Sequence, residues 1–198
     1  MQSTKLFVSA AQLQDMSQEL ALQVLDSQWQ PDFMVALWRG GSMVGCYVHE
    51  MLNRFGPHPV NHIAVRTSLY SGVDQVHEGG QVLVHGEQFL VDKLQADSRV
   101  LFVDDILESG RSLAAVQAVL RRKLGDRCPR DMRVATLFTK SERWVQGNPR
   151  ADFYIRDCAR DQWVSFPHEL EDLSNEEVHQ VTSPQVFDAL CKRGYATK

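Results

Sequence analysis

The chain has 198 residues, a formal net charge of −4 and 43% hydrophobic residues, values that are ordinary for a soluble globular protein. The weakly acidic balance excludes the overall basic composition typical of nucleic-acid-binding proteins. No apolar run approaches the roughly 20 residues that span a bilayer. The four cysteines form no Cys-x-x-Cys pair. Together these features predict free thiols in a cytoplasmic protein without a membrane contact.

The first third of the chain alternates helical and strand patterns. Ser9 and Gln12 form a capping-box pair in front of apolar residues at helical spacing. In chain order, the predicted elements are a helix ending near Gln28, a buried strand over 33–38, a helix over 42–55 and a strand over 60–65. Residues 68–90 are rich in Gly, Ser and His, and a segment of this kind in a compact domain is usually functional or mobile. Within it, residues 81–85 are compatible with one strand of a hairpin.

The second half continues the alternation and ends in a different pattern. The predicted elements are strands over 100–103, 133–138 and 151–155, a helix over 112–124, and two short helices, one capped by Ser174 and Glu177 and one running from Pro184 to Lys192. Alternating strands and helices predict an α/β fold with a five-stranded, mostly parallel sheet and right-handed crossovers. We expect one domain with a core over 1–155 and a C-terminal segment over 156–198.

Residues 100–113 carry the chemistry most clearly. A short apolar strand over 100–103 runs into the paired carboxylates Asp104 and Asp105. These acids would lie at the edge of the sheet where ligands of open α/β folds bind. Residues 108–112 then open a helix, whose unpaired N–H groups can hold a phosphate. Two adjacent acids beside a phosphate indicate a sugar diol, a magnesium ion or a developing cation next to it.

The segment Val-Leu-Phe-Val-Asp-Asp-Ile-Leu-Glu-Ser-Gly-Arg-Ser-Leu resembles the phosphoribosyl-pyrophosphate signature of the type I phosphoribosyltransferases. The resemblance implies the fold of that family, with a small C-terminal hood, and two catalytic acids, Asp104 and Asp105, that bind the ribose hydroxyls directly or through Mg²⁺. It implies a metal set of Asp104, Asp105 and Asp161. Glu108 stands where the family usually has Asp, a residue proposed there as the acid/base group near the purine N7. The 5-phosphate would be wrapped by Glu108, Ser109, Gly110, Arg111 and Ser112.

The resemblance extends to the pyrophosphate end of the donor. Trp38-Arg39-Gly40-Gly41 resembles the family's pyrophosphate loop, in which a basic residue precedes small residues and often follows a cis peptide bond. Ser68 and Tyr70 resemble the Ser/Tyr cluster of the family's flexible loop, which closes over pyrophosphate and here covers about 68–90. Closure of such a loop excludes water from a reactive sugar cation.

A third resemblance concerns the acceptor. Residues 161–169 resemble the base-recognition segment of xanthine–guanine and related purine enzymes. It implies that Trp163 stacks on the base and that the Val164 backbone reads its edge. Lys140 would donate to the exocyclic oxygen of a 6-oxopurine. An ammonium group is only a donor, so it suits hypoxanthine, guanine or xanthine and not the amino group of adenine.

The resemblance therefore implies a Mg²⁺-dependent purine phosphoribosyltransferase that forms a dimer or tetramer and works in purine salvage. Three alternatives stay open. The first is an enzyme that uses a different nucleobase, and the second is a regulator of the same fold that binds the same sugar ligand. The third is a catalytically weak homologue, because Glu108 stands in place of Asp. The basic residues between 121 and 133 are the only sequence support for a regulator that contacts nucleic acid, and a solvated surface explains them better.

Overall fold

The computed structural model describes residues 5–70, 81–171 and 173–196. The chain divides into two compact units. The larger unit is Asp15–Arg160, and the smaller unit combines Met1–Gln14 with Asp161–Lys198.

Eight strands and six helices form the described part of the chain. The strands are β1 (Lys5–Phe7), β2 (Phe33–Trp38), β3 (Asn61–Tyr70), β4 (Gln81–His85), β5 (Arg99–Leu107), β6 (Asp131–Thr139), β7 (Phe153–Asp157) and β8 (Trp163–Ser165). The helices are α1 (Ala10–Asp26), α2 (Gly40–Phe55), α3 (Gln88–Lys93), α4 (Arg111–Leu124), α5 (Asn175–Val181) and α6 (Pro184–Lys192). Within these described ranges, every helix is too short or too polar to cross a membrane.

The larger unit is built on a six-stranded sheet in the order β4-β3-β2-β5-β6-β7. All neighbouring pairs are parallel except β3 with β4, which are antiparallel. The predicted α/β fold with a mostly parallel sheet and flanking helices is therefore confirmed. The five predicted strands are all present, and the hairpin strand over 81–85 adds a sixth at one edge.

Two strands continue beyond their predicted ends for physical reasons. β5 does not stop at Val103, because Asp104, Ile106 and Leu107 continue to pair with β6. β3 continues to Tyr70, because β4 pairs with its second half. Part of the segment predicted as a flexible loop is thus strand, while residues 71–80 lie outside the described residues and the loop prediction remains untested.

The core of the larger unit lies on both faces of the sheet. One face packs against α3 and α4, and its fully buried members include Phe102 on β5 and Leu113, Val116 and Leu120 on α4. On α4 these residues fall at positions i, i+3 and i+7, as expected for a helix with one buried stripe. The six-residue α3 lay in a segment without clear periodicity and was not predicted. Its Leu90 is fully buried in the same cluster.

The smaller unit contains features that are not local in sequence. β1 pairs with β8 in parallel, with Leu6 beside Val164. Neither of these three-residue strands was predicted. The capping box of Ser174 and Glu177 on α5 is confirmed. Pro184 occupies the first turn of α6 as predicted.

The amino end of α2 packs directly on β5. A Cβ atom built on Gly40 would lie 1.8 Å from Oδ2 of Asp105, and one built on Gly41 would lie 2.3 Å from the carbonyl oxygen of Val103. Such distances are far below normal contact, so only glycine allows this approach. α2 begins at Gly40, two residues before the predicted start.

Gly41→Ala is expected to destabilise the protein by about 1–3 kcal/mol, because the added methyl group meets the backbone of β5, which cannot move aside as a side chain can. Urea unfolding measures the change. Gly45→Ala is the matched control in the same helix, since its Cβ would meet only Cβ of Ala36 at 3.1 Å and the flexible end of Met34 at 3.4 Å. Equal stability of the two variants would contradict the assigned packing.

Candidate functional site

The chain diverges at the centre of the large sheet, between β2 and β5. From β2 the chain passes through α2 to β3 on one side, and from β5 it passes through α4 to β6 on the other. Ligands of open α/β sheets bind in the crevice outside the strand ends at such a switch point. The two segments that leave these strands are the predicted pyrophosphate loop and the predicted phosphate loop. The packing of Gly40 and Gly41 on β5 brings them together.

A cleft of about 230 Å³ lies over the predicted phosphate loop and is lined by Asp104 and by residues 106–113. Gly110 has a φ angle of +74°, a left-handed conformation that favours glycine, and it stands immediately before α4. The first hydrogen bond of α4 runs from N–H of Ala114 to the carbonyl of Gly110. The preceding N–H groups of this helix therefore have no acceptor within it, and they suit an anion in the cleft.

Asp104 and Asp105 lie within β5 beside that cleft. The carboxylate of Asp104 accepts hydrogen bonds from N–H of Asp105, at 3.1 Å, and of Gly41. Asp105 is 7% exposed, and its Oδ1 accepts from N–H of Ile106 at 2.8 Å. Burial raises the pKa of Asp104 well above its ordinary range, and repulsion from the Asp105 carboxylate adds to this shift. A bound cation or a pair of sugar hydroxyls would offset the desolvation and the mutual repulsion of the two adjacent acids.

The same donor set suits a magnesium ion. Mg²⁺ prefers oxygen ligands and is commonly bound by one or two carboxylates together with substrate phosphates. Asp104 lines the cleft and Asp105 follows it on β5, so their carboxylates can supply such oxygens. Asp161, the third predicted ligand, is exposed and belongs to the smaller unit, so its part in a metal site remains a prediction.

The predicted pyrophosphate loop has the backbone that the resemblance implies. The Trp38–Arg39 peptide bond is cis. Arg39 is exposed at the start of α2. Ser68 lies on β3 with its hydroxyl 3.3 Å from Nε2 of His85. The side chain of Tyr70 lies outside the described part of the structure, so the pyrophosphate roles of Ser68 and Tyr70 remain predictions.

Glu108 and Lys140 meet because of the β5–β6 register. Leu107 pairs with Thr139, so the residues that follow them leave the sheet side by side. Oε1 of Glu108 accepts a short hydrogen bond from Nζ of Lys140, which is 4% exposed. Oε2 of the same carboxylate accepts from Nη1 of Arg143 at 2.5 Å.

These two cations decide the charge of Glu108. Burial by itself raises the pKa of this carboxyl, but the hydrogen bonds and charges of Lys140 and Arg143 outweigh burial. The pKa of Glu108 therefore lies below its ordinary value, and the group is ionised at neutral pH. An ionised carboxylate at this position can accept a proton or a hydrogen bond but cannot donate one.

Two of the predicted base-recognition residues, Trp163 and Val164, belong to the smaller unit, whereas Lys140 belongs to the larger one. Trp163 is 46% exposed on β8, while the side chain of Val164 is buried. A tryptophan with this exposure has a ring face available for stacking, and it is not a core residue of its unit. That Trp163 and Val164 contact the same base as Lys140 remains a prediction.

The basic stretch over 121–133, which begins in the last turn of α4, is largely engaged within the larger unit. Arg121 bonds the side chain of Gln117, and Lys123 bonds Glu87 at 2.7 Å. Arg127 donates to the carbonyls of residues 91 and 94 at the end of α3. These contacts favour a structural role and weaken the case for a nucleic-acid surface.

Two residues of the site were missed from the sequence. Arg143 binds Glu108, and Asn148 donates through Nδ2 to the carbonyl of Ser109 at 2.8 Å. Both lie in the irregular segment between β6 and β7, where no periodic pattern or motif marks them. Their only sequence signal is their position shortly after Lys140.

Arg143→Ala is expected to lower stability at pH 7 by about 0.2–1 kcal/mol, because this ion pair is partly exposed. The pKa of Glu108 is depressed in the folded state, so its ion pair stabilises above the unfolded pKa and is lost as pH falls through the folded pKa. The difference from the wild type should therefore vanish in acid. Thermal unfolding between pH 3 and pH 7 measures it.

Arg122→Ala, an exposed arginine of α4, is the control with equal charge loss. Its difference from the wild type should not follow the titration of Glu108. A stability difference between Arg143→Ala and the wild type that persists unchanged at pH 3 would contradict the pairing of Arg143 with Glu108.

Comparison with known proteins agrees with this geometry. The family model described as a phosphoribosyl transferase domain matches residues 9–175. A search of curated proteins found no match. Solved structures share the fold at low sequence identity.

A purine phosphoribosyltransferase from Pyrococcus horikoshii Ot3 matches with a TM-score of 0.60 and 20% identity, over 85% of this chain and 97% of its own. A xanthine-guanine-hypoxanthine phosphoribosyltransferase from Helicobacter pylori matches with a TM-score of 0.63 and 23% identity, over 89% and 100%. A hypothetical protein from Neisseria gonorrhoeae with bound ppGpp matches with a TM-score of 0.64 and 19% identity, over 98% and 99%. The family match spans most of the chain and includes both loops of the central crevice, and the protein therefore belongs to the phosphoribosyltransferase family.

Proposed function

We propose that the protein transfers the ribose 5-phosphate group of phosphoribosyl pyrophosphate to a 6-oxopurine. The bond between the anomeric carbon and pyrophosphate breaks, and a bond from that carbon to a ring nitrogen of the base forms. The products are a purine nucleotide and pyrophosphate. The proposed setting is purine salvage in the cytoplasm by a dimer or tetramer, as the resemblance to the family implies.

The observation that carries the proposal is the pairing of Lys140 with Glu108, a residue that lines the predicted phosphate cleft. An ammonium group has three N–H donors, and only one of them is needed for Glu108. The pair thus offers a donor and an acceptor side by side. A 6-oxopurine presents the complementary pattern, because its O6 accepts and the neighbouring ring N–H donates. Adenine presents a donor at position 6, which would leave the buried ammonium opposed by another donor.

The remaining parts of the donor match the rest of the crevice. The N–H groups at the start of α4 would hold the 5-phosphate, and Arg39 with Gly40 and Gly41 would hold the pyrophosphate. The carboxylates of Asp104 and Asp105 would accept hydrogen bonds from the ribose hydroxyls and stabilise positive charge on the sugar. Bound Mg²⁺ would be held by Asp104 and Asp105 and would supply charge neutralisation of the leaving pyrophosphate.

Glu108 has a defined part in this reaction. Because it is ionised, it would accept the hydrogen bond or the proton of N7–H, beside the O6 that Lys140 binds, and loss of that proton leaves N9 free to bond to the anomeric carbon. Lys140 and Arg143 restrain its longer side chain at both carboxylate oxygens. This restraint supports Glu108 as the replacement for the aspartate usual in the family.

A nucleobase panel tests the proposal. Incubation with phosphoribosyl pyrophosphate and Mg²⁺ should give nucleotide and pyrophosphate with hypoxanthine, guanine or xanthine, and not with adenine or uracil. Reactions with excess chelator should give no product. Turnover with a pyrimidine or with adenine alone would replace the 6-oxopurine assignment by a different acceptor.

A second candidate function is binding of a regulatory nucleotide. It is favoured by the match of nearly the full length of both chains with the Neisseria gonorrhoeae protein that has ppGpp bound. Calorimetric titration with ppGpp tests it. Tight binding of ppGpp without turnover of any base would favour the regulator and reject the enzyme.

Two substitutions are expected to separate chemistry from base binding. Asp105→Asn should lower kcat by about 100-fold or more, because it removes a charge that stabilises the sugar cation. Trp163→Ala should mainly raise KM for the base, by roughly 2- to 13-fold if stacking contributes about 0.5–1.5 kcal/mol. Steady-state kinetics with both substrates measures the two effects.

Exposed residues provide the matched controls. Asp97→Asn changes an exposed acid between α3 and β5, and Tyr195→Ala removes an aromatic ring that is 77% exposed in the smaller unit. Both should show wild-type kinetics. Normal kinetics for Asp105→Asn and Trp163→Ala as well would reject the site assignment.

A further inference from the structure

The segment between β6 and β7 contacts the phosphate loop at every position from 108 to 110. We call residues 143–149 the brace. Arg143 bonds Glu108 at 2.5 Å, and N–H of Val145 lies 3.4 Å from the carbonyl oxygen of Ser109. Nδ2 of Asn148 donates to the same carbonyl at 2.8 Å. The Asn148 contact is the shorter of the two bonds to Ser109.

The hydrogen bonds that the Ser109 carbonyl accepts determine the direction of the N–H group of Gly110. The Ser109–Gly110 peptide bond is trans, since the only cis bond in the described residues is Trp38–Arg39. In a trans peptide, C=O and N–H point in opposite directions. When the carbonyl of Ser109 points at Asn148, the N–H of Gly110 points away from the brace. Gly110 lines the phosphate cleft.

The brace also packs closely against Gly110 and leaves no space for a side chain there. A Cβ atom built on Gly110 would lie 2.8 Å from the carbonyl oxygen of Pro149 and 3.0 Å from Cβ of Asn148. The position of Asn148 is in turn held by the indole of Trp144, whose Nε1 donates to the Asn148 carbonyl at 3.0 Å. The guanidinium of Arg150 lies 3.9 Å from the centre of that indole ring. The donor that fixes Ser109 thus comes from a loop with internal contacts of its own.

We propose that Asn148 is a positioning residue that orients the Ser109–Gly110 peptide, so that N–H of Gly110 is aimed at the 5-phosphate before the sugar ligand binds. The inference deepens the proposed function and rests on it. Gly110 is conformationally free in the absence of contacts, and ordering it on binding would cost affinity. The hydrogen bond from Asn148 already orders Gly110 in the folded protein, so this loss of entropy does not occur on binding. In this role the Asn148 amide contacts no substrate atom.

Asn148→Ala tests the inference, with affinity for phosphoribosyl pyrophosphate measured by calorimetry in the presence of Mg²⁺. Loss of one hydrogen bond that orders the loop should weaken binding by roughly 3- to 10-fold. In turnover assays, KM for phosphoribosyl pyrophosphate should rise by a similar factor while KM for the base stays unchanged. A general loss of structure would raise both constants.

Gln146→Ala is the control, because Gln146 is an exposed amide of the same brace. Its binding should equal that of the wild type. If wild-type protein binds phosphoribosyl pyrophosphate and Asn148→Ala binds it equally well, the inference is overturned while the proposed function stands. If the wild type does not bind it, the proposed function fails and the inference fails with it.

A second measurement applies if Asn148→Ala does not fold. The amide resonance of Gly110 in the wild type is followed by NMR during titration with ribose 5-phosphate. A large shift of this resonance supports the inference. Saturation of binding, detected on other amides of residues 109–113, without a shift of Gly110 would overturn it.

Discussion

The site depends on the close approach of α2 to β5 at the centre of the sheet. β2 and β5 are adjacent, and the chain leaves them in opposite directions, so two helix N-termini open into one crevice. Gly40 and Gly41 make that approach possible, because any side chain there would overlap with Asp105 or with the backbone of Val103. The carboxylates of β5, the predicted pyrophosphate loop and the predicted phosphate loop are neighbours as a result.

The acids of the crevice stand in opposite electrostatic environments. Asp104 is desolvated beside another carboxylate, so its pKa is raised. Glu108 lies between Lys140 and Arg143, so its pKa is lowered. Acids whose environments move their pKa values apart are suited to different tasks in one reaction. Asp104 and Asp105 favour a cationic or hydroxyl-bearing ligand, whereas Glu108 remains a charged acceptor with restrained geometry.

Most of the larger unit follows from local patterns. Phe33–Trp38 is a strand with the predicted bounds, because a continuous apolar run between turn residues has few other solutions. The prediction for β5 ended too early, since charged residues such as Asp104 are not expected inside a buried strand. Asp104 is accommodated because its backbone pairs with β6 while its side chain lines the cleft. The three-residue strands β1 and β8 pair Leu6 with Val164, positions at opposite ends of the chain, and no local pattern marks such a pairing.

The sequence by itself determined the family, the parallel sheet and the residues of the two glycine-containing loops. These features depend on residue spacing and short motifs within single segments of the chain. Only the tertiary structure decided which cations pair with Glu108 and hence that its pKa is lowered. Its partners Lys140 and Arg143 lie more than 30 residues away and meet it through the register of two parallel strands. The support of Ser109 by Asn148 has the same origin. Contacts between distant segments depend on strand register and loop packing, which the order of residues along one segment does not reveal.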